Sequence, residues 1–144
     1  MRRYFLFLFA ALFAVCNIAN ADDVKYYKEG NVTEVTYVKT KLGHFEDYMK
    51  FLDLKYKKEM EAYKKAGLIV GYAVYGASPR KPSEPDLILI VTYPNMATLD
   101  KIEQFENIGR QVSGSMEQQS KETRDRNEWR EILGSELVRE LVLK

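Results

Sequence analysis

The spacing of apolar residues changes several times along the chain, and each change predicts an element. Val32 to Thr40 is rich in Val, Thr and Tyr, the β-branched and aromatic composition of a strand. After Leu42-Gly43, the residues Phe45, Tyr48, Met49, Leu52, Tyr56, Met60 and Tyr63 recur three and four apart. Lys50, Lys55, Lys57, Lys58, Glu61 and Lys64 fall between them, so the segment predicts a long helix with one packed and one solvated face. Ala66-Gly67 supplies its C-cap. Leu68 to Tyr75 reads as a second strand, and Leu87 to Tyr93 (Leu-Ile-Leu-Ile-Val-Thr-Tyr) as a third. The loop between them, Gly76 to Pro85, holds Pro79, Pro82 and Pro85, which disfavour helix and central strand alike. It serves either as a lid or as a bridge between the strands.

Asn95 is a suitable N-cap for a helix carrying Met96, Leu99, Ile102 and Phe105, with Gly109 expected to break it. Ser113 to Arg130 predicts a further, mostly polar helix with Met116 and Trp129 as its apolar contacts and Gly134 as its end. Leu137, Leu141 and Leu143 then share a side with Arg139, opposite Val138, Glu140 and Val142, which predicts a closing strand. The order β-α-β-β-α-α-β is an α+β, ferredoxin-like split βαβ arrangement with an extra helix and an antiparallel four-stranded sheet.

In such a fold the helices cover one sheet face, and strands whose other face is wet alternate apolar with polar. Here they do not. Leu87, Leu89 and Val91 lie on one side of the third strand, with Ile88 and Ile90 on the other; the second strand sets Val70, Tyr72 and Val74 against Ile69, Ala73 and Tyr75. Burying five such side chains contributes at most about 8–15 kcal/mol, comparable to the whole stability of a domain. A second copy packing sheet against sheet is the economical cover, so a homodimer through the sheet faces is expected.

The amino terminus has its own pattern. Arg2 and Arg3 precede twelve uncharged, apolar residues, Tyr4 to Val15, and Ala19-Asn20-Ala21 offers a small-x-small cleavage site. Twelve residues rise about 18 Å as a helix, short of the roughly 30 Å hydrocarbon core. Residues 1–21 are therefore expected to be a cleaved signal peptide, 22–31 a flexible lead-in and 32–144 the folded domain. The product is exported, periplasmic or secreted, without stable membrane insertion after cleavage. The paired arginines leave open whether export is general or twin-arginine.

Composition sharpens this picture at two points. The chain of 144 residues has 22 basic and 21 acidic residues; losing Arg2 and Arg3 leaves 20 against 21, without the basic excess of a nucleic-acid binder. The one cysteine, Cys16, lies in the leader, so the mature chain has no disulfide and must rely on packing and association. With one histidine and no thiol, no metal site or cofactor is expected.

The passage Tyr37-Val38-Lys39-Thr40-Lys41-Leu42-Gly43-His44-Phe45-Glu46-Asp47-Tyr48 resembles the strand, turn and amphipathic helix of the dimeric α/β-barrel superfamily. Tyr93-Pro94-Asn95 resembles its later strand-to-helix transition. The likeness runs from about Val32 to Leu143 and points to antibiotic-biosynthesis monooxygenase-like, EthD-like and NIPSNAP-like proteins, a group that includes cofactor-free oxygenases, haem-degrading enzymes and isomerase-like proteins.

Among single residues, His44 alone could titrate near neutrality and is the one candidate general base; as the turn residue before the helix it is equally a solvated surface group. Tyr37, Tyr48, Tyr72 and Tyr93, with Trp129, are candidate ligand-binding residues: they could line a cavity for a planar or phenolic molecule, or form core wall with hydroxyls reaching water. The expected function is binding of a small, apolar or aromatic molecule between sheet and helices. The alternatives are a cofactor-independent monooxygenase or isomerase-like enzyme, and a non-catalytic assembly subunit.

Overall fold

The computed structural model describes residues 25–144; the expected leader and its cleavage site lie outside them. Strand β1 spans Tyr27–Thr40, β2 Gly71–Gly76, β3 Leu87–Tyr93 and β4 Arg130–Leu143. They form one antiparallel sheet in the order β2-β3-β1-β4. Helix α1 (Phe45–Phe51) runs through a π-helical turn, Leu52–Tyr56, into α2 (Lys57–Lys65). A 3-10 turn, Met96–Asp100, precedes α3 (Ile102–Ser113), and α4 (Met116–Trp129) leads straight into β4. This is the expected split βαβ arrangement, with α4 as the added helix.

The register assigns the faces. Val32 pairs with Tyr93, Glu34 with Val91, Thr36 with Leu89 and Val38 with Leu87, all on the helix-covered side. Val35 pairs with Ile90 and Tyr37 with Ile88 on the open side, joined by Ala73 and Tyr75 from β2. The covered side holds two buried clusters. One gathers Val32, Met60, Tyr63, Leu68, Ile69 and Tyr93, with Phe105 of α3 against it; the other gathers Val38, Tyr48, Leu52, Leu87 and Leu89, with Trp129 of α4 against it.

Several boundaries differ from expectation, each for a local reason. Strand β1 begins at Tyr27 within the expected lead-in, because Tyr27 to Glu29 pair with Leu143 to Leu141 of β4. Leu68 and Ile69 are buried in the core before β2 begins, not paired in the sheet. Gly109 does not break α3. It is buried inside the helix facing the Tyr63 hydroxyl of α2, where an added Cβ would make only an ordinary contact at 3.5 Å. The helix instead stops at Gly114, whose φ of +85° suits glycine. Gly134 does not end a helix but sits in β4 beside a register shift opposite Tyr37 and Val38. The sequence pattern also left the π turn unseen. Tyr48, Leu52, Tyr56 and Met60 are spaced four apart, and each such step overshoots an α-helical turn by about 40°. A wider i→i+5 turn absorbs that drift and keeps all four side chains over the sheet.

The Gly76–Pro85 loop is bonded to itself and to the sheet. The Arg80 amide donates to Glu84, and Asp86 accepts from the Thr40 amide (2.9 Å) and hydroxyl (2.7 Å). It bridges β2 and β3 at the end of β1.

Candidate functional site

Along the covered face of β1, the central pair of inward positions is polar. Val32 and Val38 are 1% and 0% exposed, yet Glu34 and Thr36 lie between them. The two core clusters therefore do not merge. Between them is a cavity of about 270 Å³, floored by Glu34, Thr36, Leu89, Val91 and Tyr93 and roofed by Tyr48, Phe51, Tyr56 and Met60. Arg126 from α4, and Arg130 and Ile132 from β4, complete its wall. Ile132, 49% exposed, marks the side open to solvent.

The elements explain this convergence. The π turn keeps Tyr56 in line with Tyr48 above the sheet, and the direct passage from α4 into β4 carries Arg126 and Arg130 to one end of the cavity. Arg130 donates to the Tyr48 hydroxyl at 2.9 Å and lies 5.2 Å from that ring's centroid; Arg126 lies 4.7 Å from the Phe51 centroid and donates to Thr123 at 2.7 Å. Aromatic faces thus meet both cations. Glu34 accepts from the Tyr93 hydroxyl at 2.9 Å and from Ser135 at 3.3 Å. Among the described residues, three buried polar atoms at this cavity have no partner: the Tyr56 hydroxyl and the Nε atoms of Arg126 and Arg130. Buried polar groups are ordinarily hydrogen-bonded, so these three together make the cavity the candidate site.

Electrostatics keeps the phenols protonated. Burial, reinforced by the Tyr48 hydroxyl and Glu34, holds the Tyr56 pKa well above the ordinary tyrosine value. Burial and the hydrogen bond to Glu34 do the same for Tyr93. Tyr48 is raised by burial against the opposing pull of Arg130. The Arg126 pKa is lowered, first by burial and then by the charge of Arg130. Near neutral pH the cavity therefore offers phenolic and guanidinium donors with one engaged carboxylate, an arrangement suited to holding and orienting a molecule.

The residues expected from sequence divide. Tyr48 and Tyr93 line the cavity. Tyr72 stands behind it, edge-on to Tyr56 with centroids 6.0 Å apart, its hydroxyl donating to Glu61. Trp129 packs against the Tyr48 cluster and faces an outer groove of about 340 Å³ between the first helix and α4, where Lys55 pairs with Glu122. Tyr37 is on the opposite sheet face, donating to Glu136 at 2.6 Å. His44 precedes α1, contacts Asp47 at 2.9 Å and lines none of these cavity walls. Sequence reasoning missed Glu34, Tyr56, Arg126 and Arg130. Glu34 had a readable signal, a carboxylate at an inward position of a central strand. The arginines had none, since Arg126 is one of many charged residues on the mostly polar α4 and Arg130 stands where that helix passes into β4.

Among the described residues no group of three potential metal ligands comes together, and no helix is long and apolar enough to cross a membrane. No family model and no curated protein matches the sequence. Solved structures do resemble it. A dimeric ferredoxin-like protein from an uncultured marine organism aligns at 9% identity over 81% of this chain and 90% of its own, with a TM-score of 0.50. The fold is ferredoxin-like. HapK from Hahella chejuensis aligns at 8% identity over 74% of this chain and 90% of its own, with a TM-score of 0.48.

Proposed function

We propose that the chain is an exported, homodimeric member of the dimeric α/β-barrel superfamily, on the antibiotic-biosynthesis monooxygenase-like and NIPSNAP-like side. In this reading it binds a small, mostly apolar or aromatic molecule between sheet and helices. The observation that carries the binding reading is the split core: a carboxylate and a threonine on the central strand, facing aromatic rings and partnerless buried polar atoms across an open cavity. A fold with no ligand to hold would gain stability by closing that gap with apolar side chains. The dimer reading rests on the open sheet face, where Val35, Ile88 and Ile90 remain only half-buried and Tyr75 is 54% exposed. Export rests on Arg2, Arg3, the apolar run Tyr4 to Val15 and Ala19-Asn20-Ala21.

The test is organic extraction of the mature protein purified from its own source, beside a Thr36→Phe variant whose new ring fills the cavity. A small apolar or aromatic compound recovered from the wild type and absent from the variant is expected. An identical extract from both, or no compound from either, would overturn the binding reading.

A further inference from the structure

We propose that the molecule held in the cavity is an acid, its carboxylate seated between Arg126 and Arg130 and its apolar body against Met60, Leu89 and Val91. This rests on the small-molecule reading above and adds the chemical class. The argument is one of charge. Arg126 and Arg130 both reach the cavity wall, and among the described residues neither makes an ion pair. Each guanidinium carries five N–H donors, yet each makes one hydrogen bond here, to a neutral hydroxyl.

The carboxylates nearby are already engaged. Glu34 accepts from Tyr93 and Ser135, Glu122 pairs with Lys55, and Glu59 accepts from Tyr63 at 2.5 Å. Glu59 and Glu122 draw on Arg126, yet among the described residues no carboxylate comes within ion-pair distance of either guanidinium, and in this partly desolvated site the two like charges oppose one another. An anion between them relieves that repulsion, and a carboxylate matches the planar donor fork of arginine. The aromatic rings under both guanidiniums hold them in place, so little ordering remains to be done when the ligand arrives. Away from the arginines, the wall of Met60, Leu89 and Val91 suits hydrocarbon, which distinguishes an organic acid from an inorganic anion.

Calorimetric titration of the mature protein with two matched pairs, cinnamate with cinnamamide and decanoate with decanamide, tests the assignment, with acetate as the acid lacking an apolar body. Each acid is expected to bind at least tenfold more tightly than its amide, and acetate at least tenfold more weakly than cinnamate. Arg126→Gln and Arg130→Gln are each expected to lower the ratio of acid to amide affinity about tenfold, whatever they cost the amide alone, with Arg126→Lys restoring part of that ratio. The comparison within the wild type needs no variant to fold. Equal binding of acid and amide would overturn the acid assignment and leave small-molecule binding standing. Acetate binding as tightly as cinnamate would also overturn it, in favour of a simple anion site. Binding of neither member of either pair at millimolar concentration would overturn both readings.

Discussion

The two faces of the sheet depart from ordinary alternation in opposite directions. On the covered face, where apolar residues are expected throughout, β1 places Glu34 and Thr36 between the buried Val32 and Val38. On the other face, where polar residues are expected, β3 places Ile88 and Ile90, and β2 places Ala73 and Tyr75. Each departure would be costly left alone, the first by burying polar groups and the second by wetting apolar ones. Each becomes reasonable with a partner of matching character. The covered face calls for a small molecule that can use hydrogen bonds, and the open face for a second sheet. In the proposed reading one sheet serves two kinds of recognition, separated by the two-residue period of its side chains.

The contrast can be broken by substitution. The largest effect is expected where the chain packs against itself: Tyr48→Ala removes a buried ring and the partner of Arg130, and should cost about 3–5 kcal/mol in urea denaturation. A loss under about 1 kcal/mol would mean that the Tyr48 cluster is not packed as described. On the open face, Ile90→Asp should raise the dimer dissociation constant at least a hundredfold by sedimentation while the circular dichroism of the chain is retained. An unchanged sedimentation profile would place any interface elsewhere. Within the cavity, Thr36→Phe should change stability by no more than about 1 kcal/mol but weaken ligand binding at least tenfold. The two mutations separate the faces, since each should leave the other's partner bound.

The smallest effect is one of pH. Tyr56, Tyr63 and Tyr93 all have pKa values raised in the folded state, chiefly by burial. A folded chain that keeps protons the unfolded chain releases loses stability as pH rises, so these phenols should leave the denaturation midpoint unchanged up to about pH 10 and lower it above. Tyr56→Phe should make that fall shallower and leave neutral-pH stability unchanged or slightly improved, because the Tyr56 hydroxyl has no partner to lose. A wild-type midpoint that stays level above pH 10 would contradict the burial of these phenols.

Much of the fold was legible because its signals are local. Leu87 to Tyr93 is the strand expected from its β-branched run, Asn95 caps the next turn by accepting from the Thr98 amide, and the residues from Phe45 to Lys65 form a helix throughout. What was illegible depended on distant partners. Tyr27 to Asn31 looks polar and aperiodic alone, yet its first residues pair with the far end of β4. Gly109 looks like a helix breaker, yet α3 continues through it to Ser113, with the positive φ falling at Gly114. The site was half legible. Tyr48 was readable from the helical spacing of the first helix and Tyr93 from its place on the third strand, whereas Arg126 and Arg130 become neighbours only because α4 passes into β4 at Arg130. His44, chosen for its chemistry, stands with Asp47 outside the cavity, and Tyr37, chosen for its ring, faces the opposite side.

Native mass spectrometry of the mature protein reads both faces at once. The account predicts a complex with the mass of two chains beginning at Asp22, plus one small organic molecule for each chain. A bare monomer would contradict it on both faces.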